Sequence, residues 1–423
     1  MSKYSYLNYG IRAPLHAQAQ RPVNNGGYIV TTAEEADKIS IYNPRERIIT
    51  STNVKKNETV FQEVKDYEFV LQTDDYCVCP NIFGVIRLKN KNTTAGKNIL
   101  HTAPMVNVKV VSIEIAGNTW YHTKKDEIYI HHCIRLSHGD KMFSNLIKKF
   151  GISTDYDIDP ITNDIAPGET NEYMFCLPLF ANQKIPWRYI TKTSNEVVIK
   201  ITLDKNCFIT AASPNQDKDD VILDDFYLSV HELQIPPEIY ELETNYPGKY
   251  LQFRVNDTRE SANVDLSTST LRTGKYTVEI NSKQGPVSLF LFGLREKDNI
   301  ETFADFIPID DLEITTKSDK RLKEKTWKTD VMKVLQVYDT QMGEFFLKKN
   351  IYAYAFDANV AQIVVKGHHG NVEFMEDLYK ISFTIPNATS VINPSKQYEL
   401  VILEFKPKLL NLYPEKHSLE VKS

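Results

Sequence analysis

The chain has 423 residues, which is too long for a single compact core and suits two domains of about 200 residues each. Hydrophobic residues make up 42% of the sequence, an ordinary share that predicts a folded protein and excludes a disordered one. The net charge of −5 at pH 7 argues against a protein whose main role is to coat nucleic acid.

The sequence carries no sign of a membrane-spanning or secreted chain. No apolar run approaches the roughly 20 residues that a membrane-spanning helix needs. The N-terminus, MSKYSYLNYGIRAPLHAQAQ, lacks the hydrophobic core of a signal peptide. The five cysteines show no disulfide framework. We therefore expect synthesis and folding in a reducing cytosol.

The first 50 residues are polar and weakly periodic. They predict an N-terminal arm over residues 1–50 that either reaches a neighbouring subunit or lies on its own domain. The next strands are predicted in residues 59–72, 82–90 and 106–117. In the last of these, Val111, Ile113 and Ile115 share one face, which we expect to be the buried one.

Between residues 125 and 150 the apolar spacing changes to that of a helix. Residues 142–147 carry the clearer helical pattern, and Gly151 is placed to end that helix. Residues 128–136 fit either a helix or a short strand.

Three further strands are predicted between residues 171 and 234. The middle strand alternates with a period of two, and we predict that Val197, Ile199 and Ile201 face a hydrophobic core. The last strand ends before Pro236-Pro237, because proline donates no hydrogen bond to a sheet.

A second series of strands follows these prolines. The strands are predicted in residues 271–280, 286–296, 309–318, 345–357, 378–386 and 398–407, with a charged helical segment at 320–337. Short strands separated by turns in both halves favour β-sandwiches over alternating strands and helices. The sequence therefore predicts an all-β fold with two consecutive jelly-roll β-sandwiches and short helices in the loops between strands. We place the first jelly roll at residues 51–236, the second at 237–412 and a C-terminal tail at 413–423.

Several segments follow one another in a recognisable order. They are VKVVSIEIAGNTW, then FCLPLF with a loop and EVVIKITL, then VILDDFYLSVHELQIPPEIYELE, PVSLFLFGLRE, IDDLEITTKSDKRLKEKT and NIYAYAFDAN. In this order they resemble the double jelly-roll major capsid proteins of large eukaryotic DNA viruses, virophages and some tailless bacteriophages. The resemblance covers most of residues 60–410. The stretch ANVAQIVVKGHHGNVEF departs from the family, which usually has proline or serine-glycine features there.

The resemblance implies a structural protein of an icosahedral DNA-virus capsid, without enzymatic activity and without catalytic, cofactor or metal sites. It implies homotrimers that form pseudo-hexagonal capsomers and contact neighbouring capsomers. Penton proteins, minor capsid proteins and an internal membrane are further candidate partners, whereas sequence-specific nucleic acid is not. It also implies location in the virion after synthesis in the host-cell cytosol.

The departure from the family leaves open whether the chain is a major shell protein, a minor capsid protein or an assembly scaffold of the same fold. A different class of protein is also open, namely a carbohydrate-binding β-sandwich that stacks sugars on Trp187 and Tyr189. A metal-dependent cupin is disfavoured, because the histidines do not fall on neighbouring strands.

Three short clusters hold residue types that bind metals. They are His131-His132-Cys133 with His138, Cys77 with Cys79, and Asp155 with Asp157 and Asp159. The histidine cluster has no standard zinc spacing, the two cysteines lack two further ligands, and the aspartates lack the glycine and glutamate of a calcium loop. We therefore expect packed side chains in the first two clusters and a solvated loop in the third.

Two other segments carry histidine or charge without a recognised motif. We expect His368-His369, between two glycines, to be a loop that could sense pH only if it were buried at a subunit contact. The basic residues of 317–328 predict a solvated helix face more strongly than a nucleic-acid patch. The chain has no phosphate-binding glycine loop, GxSxG elbow or HExxH helix, so the sequence predicts no catalytic site.

Overall fold

The computed structural model describes residues 42–54, 58–59, 65–71, 76–94, 99–101, 104–115, 118–137, 141–152, 161–177, 197–203, 221–234, 251–260, 264–281, 285–297, 306–316, 349–355, 373–375, 378–413 and 418–422. Within these ranges most of the regular structure is antiparallel β-sheet, with a few helices between strands. The predicted all-β fold class with short helices in the loops is confirmed.

The first half of the chain forms the following elements in the described residues. The strands are β1 (Tyr42–Thr50), β2 (Glu58–Thr59), β3 (Lys65–Leu71), β4 (Tyr76–Asn90), β5 (Ile99–His101), β6 (Val108–Ile115), β7 (Asn118–Thr123), β8 (Ile161–Ile165), β9 (Thr170–Leu177), β10 (Val197–Leu203) and β11 (Val221–Gln234). The helices are α1 (Lys125–Ser137) and α2 (Lys141–Phe150), and a 3-10 turn covers Pro104–Asn107.

These strands form a jelly roll. One sheet has the order β1-β11-β4-β9, with β2 beside β11, and the other has the order β3-β10-β6-β7. The sheets face each other, because the Phe226 ring of β11 lies 5.0 Å from Tyr67 and 5.1 Å from Phe69 of β3, between ring centroids. When the eight main strands are numbered in chain order, the sheets read 1-8-3-6 and 2-7-4-5, which is the double Greek key of a jelly roll.

The second half forms its own set of elements. They are β12 (Leu251–Glu260), β13 (Val264–Leu266), α3 (Thr268–Leu271), β14 (Lys275–Asn281), β15 (Gly285–Val287), β16 (Leu289–Glu296), β17 (Phe306–Ile307), β18 (Asp310–Thr316), β19 (Tyr352–Ala355), β20 (Glu373–Met375), β21 (Leu378–Thr384), α4 (Ala388–Val391), β22 (Tyr398–Tyr413) and β23 (Ser418–Lys422).

The strand order of the first jelly roll recurs in these elements. One sheet contains β12-β22-β16, with β19 also paired to β16, and the facing sheet has the order β14-β21-β18. Strands β12, β22, β16 and β19 therefore take the positions of β1, β11, β4 and β9. Strands β14, β21 and β18 take those of β3, β10 and β6. The second half is a second jelly roll with its own hydrophobic core.

The predicted burial of alternate residues in β10 is confirmed. Val197, Ile199 and Ile201 are each 0% exposed, while Val198 and Lys200 on the opposite face are only half-buried. Each of the three apolar residues is flanked by both neighbouring strands, β3 and β6, so the strand is central in its sheet. A central strand with one polar face fixes its own register, since a shift of one residue would expose the whole apolar set.

Lys125–Ser137 and Lys141–Phe150 are helical, as the apolar spacing predicted. Residues 128–136, which fitted either a helix or a short strand, belong to α1. Gly151 ends α2 with a φ of 69°, a conformation that glycine adopts at low cost. Its N–H bonds to the Lys148 carbonyl at 3.2 Å, and the Ile152 N–H bonds to the Ile147 carbonyl at 3.3 Å. These two bonds satisfy carbonyls that the helix end would otherwise leave unpaired.

Both predicted terminal segments contribute strands. Residues 42–50 of the predicted arm form β1, which pairs with β11 at the edge of the first jelly roll. Within the predicted tail, β23 pairs with the end of β22. Residues 1–41 and the boundary at 236 lie outside the described residues, so the proposed division of the chain into domains stays a prediction.

We expect the two faces of β10 to respond differently to the same substitution. Ile199→Thr buries a hydroxyl in the core without a partner and should lower the free energy of unfolding by about 1–3 kcal/mol. Val198→Thr places the hydroxyl on the half-buried outer face and should be close to neutral. Urea unfolding followed by fluorescence measures both, and equal losses would contradict the assigned faces.

Candidate functional site at the junction of the two sandwiches

Strand β16 is buried on both of its faces. Phe290 and Phe292 belong to the core of the second jelly roll, whereas Leu291 and Arg295, on the opposite face, are 1% and 5% exposed. The uninterrupted apolar run LFLFGL is typical of a strand that is covered on both sides. A further layer therefore covers the outer face of this sheet.

Part of that layer comes from the first half of the chain. Only Lys124 separates β7 from α1, and the Ile128 N–H bonds to the Lys124 carbonyl at 3.1 Å, so the helix begins directly after the strand. Strand β7 contacts β12 of the second jelly roll. The first turn of α1 places Asp126 against Arg295. The segment from β7 into α1 thus packs on the second jelly roll.

Arg295 bridges two carboxylates at this junction. Its Nη1 and Nη2 atoms both bond to Asp126, with Nη2 3.3 Å from Oδ2. Its Nε donates to Oε1 of Glu399 at 2.7 Å, and its Nη2 lies 2.6 Å from the same oxygen. Glu399 is the direct cross-strand partner of Arg295 in the β16–β22 pair. We call Arg295, Asp126 and Glu399 the junction triad.

The junction triad is buried, and its two carboxylates stabilise the charge of the guanidinium. The side chains of Arg295, Asp126 and Glu399 are 6%, 2% and 7% exposed. Burial alone disfavours the charged guanidinium, but the charges of Asp126 and then Glu399 outweigh it and raise the pKa of Arg295 above its usual value. Asp126 also lies in the first turn of α1, where the positive end of the helix dipole favours a carboxylate.

A glycine lets an aromatic ring approach the same face of β16. A Cβ at Gly293 would lie 2.2 Å from the nearest atom of the Phe306 ring, so any other residue would displace that ring. The guanidinium carbon of Arg295 is 5.9 Å from the centroid of the Phe306 ring. Phe306 is therefore part of the packing around the junction triad.

Helix α1 is attached to the first jelly roll through His132. The backbone N–H of Cys176 on β9 donates to Nε2 of His132 at 2.8 Å. The His132 ring lies 4.5 Å from Phe150 and 5.3 Å from Phe143 of α2, between centroids. Phe150 in turn stacks on Phe83 of β4 at 6.2 Å. The two helices and the sheet therefore share one aromatic cluster.

Burial keeps His132 neutral. Desolvation, followed by repulsion from the Arg135 guanidinium, lowers the pKa of His132 from 6.5 to about 3. Because Nε2 accepts a hydrogen bond, the proton of the neutral ring is on Nδ1. Nδ1 is buried and has no hydrogen-bond partner among the residues that the structure describes.

Two of the three clusters that hold metal-binding residue types lie at least partly in the described residues. His131, His132 and Cys133 are buried in α1, as expected for packed side chains. Cys77 and Cys79 lie at alternate positions of β4. In the part of the chain that the structure describes, no three side chains of histidine, cysteine, aspartate or glutamate gather closely enough to hold a metal ion.

Other candidate segments lie outside the described residues. They are His138, Asp155, Asp157, Asp159, the basic run at 317–328, His368-His369 and the loop with Trp187 and Tyr189. Among the described helices, none has the length and apolar content that crossing a membrane requires.

No pattern in the sequence indicates that Arg295, Asp126 and Glu399 lie together. The members of this junction triad lie in three separate segments, and Asp126 and Arg295 are 169 residues apart. One local signal was present, because Arg295 ends an apolar run that is buried on both faces. A charge in such a run needs a buried partner, but its spacing in the sequence does not say which carboxylate that is.

Two tandem jelly rolls joined through a buried junction define a double jelly-roll protein. The chain is similar to a quasi-atomic model of the capsid of virus PBCV-1, with a TM-score of 0.60 and 11% identity over 90% of this chain and 97% of that one. It is similar to the Faustovirus major capsid protein, with a TM-score of 0.57 and 10% identity over 96% of this chain and 98% of that one.

A third similar structure is a PBCV-1 crystal structure fitted into a reconstruction of the virophage Sputnik. Its TM-score is 0.59, with 11% identity over 90% of this chain and 97% of that one. No protein-family model matches the sequence, and a search of curated proteins found no match. At these identities the likeness establishes the fold, and the double jelly roll inferred from the sequence is confirmed at that level.

We expect the junction triad to be sensitive to loss of its cation. Arg295→Met leaves Asp126 and Glu399 buried without a counter-charge and should lower the free energy of unfolding by about 3–5 kcal/mol. The triple variant with Asp126→Asn and Glu399→Gln as well should recover much of this loss, because no buried charge of the triad remains. Chemical unfolding of the three proteins measures the effect.

A nearby exposed ion pair supplies the control. Lys297 lies two residues after Arg295 and bonds to Asp265 at 2.7 Å, with side-chain exposures of 37% and 67%. Lys297→Met should change the unfolding free energy by less than about 1 kcal/mol. Equal losses for Arg295→Met and Lys297→Met would refute a special role of the buried triad.

Proposed function

We propose that this chain is a structural protein of an icosahedral viral capsid and that its homotrimers form pseudo-hexagonal capsomers. The observation that carries the proposal is the double jelly roll itself, which aligns with nearly the full length of the similar PBCV-1 and Faustovirus capsid structures. A likeness that spans both chains from end to end concerns the whole architecture and not one shared domain.

The architecture suits a shell tile. Two sandwiches with the same strand order give one chain two similar footprints. Three chains around a threefold axis then present six similar footprints, which is the outline that a hexagonal lattice needs. Closed rotational symmetry of this kind also uses the same interface three times. The junction triad supports the proposal, since a buried ionic contact resists separation of the two footprints.

The proposal includes the partners and the location that the sequence resemblance implied. The first partner is the chain itself, and the next are neighbouring capsomers. Penton proteins, minor capsid proteins and an internal membrane are further partners for a shell of this kind. The proposed location is the virion, after synthesis in the host-cell cytosol. Catalysis and sequence-specific binding of nucleic acid are not part of the proposed role.

Two alternatives make different predictions from the same fold. An assembly scaffold would form trimers that coat a precursor but are absent from the mature particle. A carbohydrate-binding sandwich would act through exposed aromatic side chains and would not need to trimerise. The aromatic loop that motivates the second alternative lies outside the described residues.

We expect the purified chain to be a homotrimer that depends on neither disulfides nor a bound metal. A permanent interface of this kind commonly buries roughly 2,000 Å² or more and should survive moderate salt. Contacts between trimers would be smaller and more polar, so they should weaken with salt. Multi-angle light scattering in reducing buffer with a chelator measures the mass directly.

The expected mass is three chains at low and at moderate salt. The Val198→Thr variant serves as a control, because we expect this substitution to leave the free energy of unfolding almost unchanged. A mass of one chain for the wild-type protein in this buffer would overturn the capsomer proposal and favour a monomeric binding module.

A further inference from the structure

His132 occupies an unusual position for an ionisable side chain. It is 0% exposed, its Nε2 accepts the Cys176 N–H at 2.8 Å, and its ring packs on Phe143 and Phe150. A proton added at Nε2 would break the bond to Cys176, because the protonated nitrogen can no longer accept. It would also leave a charged ring in an aromatic cluster.

The surroundings offer this charge no compensation. Besides His132, the ionisable residues of α1 are Lys125, Asp126, Glu127, Tyr129, His131, Cys133 and Arg135. Those of the elements packed against this helix are Lys141, Lys148 and Lys149 on α2, Glu172, Tyr173 and Cys176 on β9, and Lys109 and Glu114 on β6. Within the described residues, no hydrogen bond or ion pair joins His132 to any of the carboxylates. The guanidinium carbon of Arg135 is 4.0 Å from the centroid of the Phe143 ring, so a second cation already borders the cluster.

The carboxylates of these elements are engaged elsewhere. Asp126 binds Arg295, and Glu127 accepts a hydrogen bond from the Thr123 hydroxyl. Glu172 accepts a hydrogen bond from the Tyr227 hydroxyl at 3.1 Å, and Glu114 of β6 accepts one from Lys200 at 3.2 Å. A protonated His132 can therefore gain solvent or a counter-charge only if the helix moves away from the sheet.

The same helix carries the contact between the two sandwiches. His132 anchors the middle of α1 to β9, and Asp126 in its first turn binds Arg295 of β16. We propose that protonation of His132 opens the helix pair α1–α2 from the first jelly roll and thereby loosens the Asp126–Arg295 contact, so that the junction is a pH-sensitive switch. The proposal goes beyond the capsid role and does not rest on it.

The pH dependence of opening follows from the difference in the pKa of His132 between the closed and the open state. In the closed state, in which α1 and α2 pack on the first jelly roll, the pKa of His132 is lowered to about 3 from 6.5 in a solvated chain. The contribution of neutral His132 to the stability of the closed state, relative to the open state, is therefore fully present above pH 6.5. This contribution is lost as the pH falls from about 6.5 towards about 3. Between pH 7.5 and pH 5 the equilibrium constant for opening should rise by about 30-fold.

Amide hydrogen exchange read by mass spectrometry tests the proposal on the full-length protein. After correction for the intrinsic pH dependence of exchange, peptides from α1 and α2 should open about 30-fold more often at pH 5 than at pH 7.5. In His132→Gln the side-chain oxygen can still accept the Cys176 N–H but cannot be protonated in this range. This variant should lose the extra acid-induced opening, while the control His231→Gln should keep it.

Acid-induced opening that persists in His132→Gln, or that is absent from the wild-type protein, would overturn the proposal. If His132→Gln does not fold, exchange of the histidine C2 hydrogen in the wild-type protein reports the pKa of His132 directly. A value near 6.5 would reject the switch, and a value well below 5 together with acid-induced opening of α1 and α2 would support it. Peptides from β7 and β12 report the junction, and they should open together with α1.

Discussion

A buried ionic contact between Arg295, Asp126 and Glu399 joins the two jelly rolls. A guanidinium that is almost fully removed from water is stable only where carboxylates replace its hydration. Glu399 comes from the neighbouring strand of the same sheet, but Asp126 comes from the other half of the chain. Separation of the two sandwiches at this point would break the bonds between Arg295 and Asp126, whereas Arg295 and Glu399 would stay paired. The contact therefore stabilises one particular association of the two halves.

Strand β16 and helix α1, which hold Arg295 and Asp126, each contribute to one jelly roll and to the contact between the two. Strand β16 contributes one face to the core of the second jelly roll and the other to the junction. Helix α1 likewise serves both halves, since His132 binds the backbone of β9 while Asp126 binds Arg295. An element shared in this way transmits a change at one end to the other, because a packed helix moves as a unit. This shared helix explains why a histidine inside the first jelly roll bears on the contact with the second.

Much of the fold could be predicted from the sequence, because local patterns of apolar and polar residues indicate the strands. Val197, Ile199 and Ile201 alternate with residues of the outer face, and the structure buries all three. Gly151 ends the helix where the apolar spacing stops.

The junction could not be predicted from the sequence in the same way. Asp126 lies near the start of a helix whose first turn carries acidic residues, a common pattern that says nothing about a partner 169 residues away. Likewise, His132 resembled a metal ligand only through its neighbours in sequence, whereas its actual partner, the Cys176 backbone, becomes apparent only in three dimensions.

The central claim is that a single chain with two jointly held jelly rolls acts as a tile of a viral shell. An electron cryomicroscopy reconstruction of the purified protein tests this claim most directly, because it shows subunit number and outline together. We expect a particle of three chains whose six sandwiches form a pseudo-hexagonal ring, with the β7–α1 segment of each chain packed on its own second jelly roll. A reconstruction with isolated chains, or with the two sandwiches of one chain separated and variable in orientation, would contradict it.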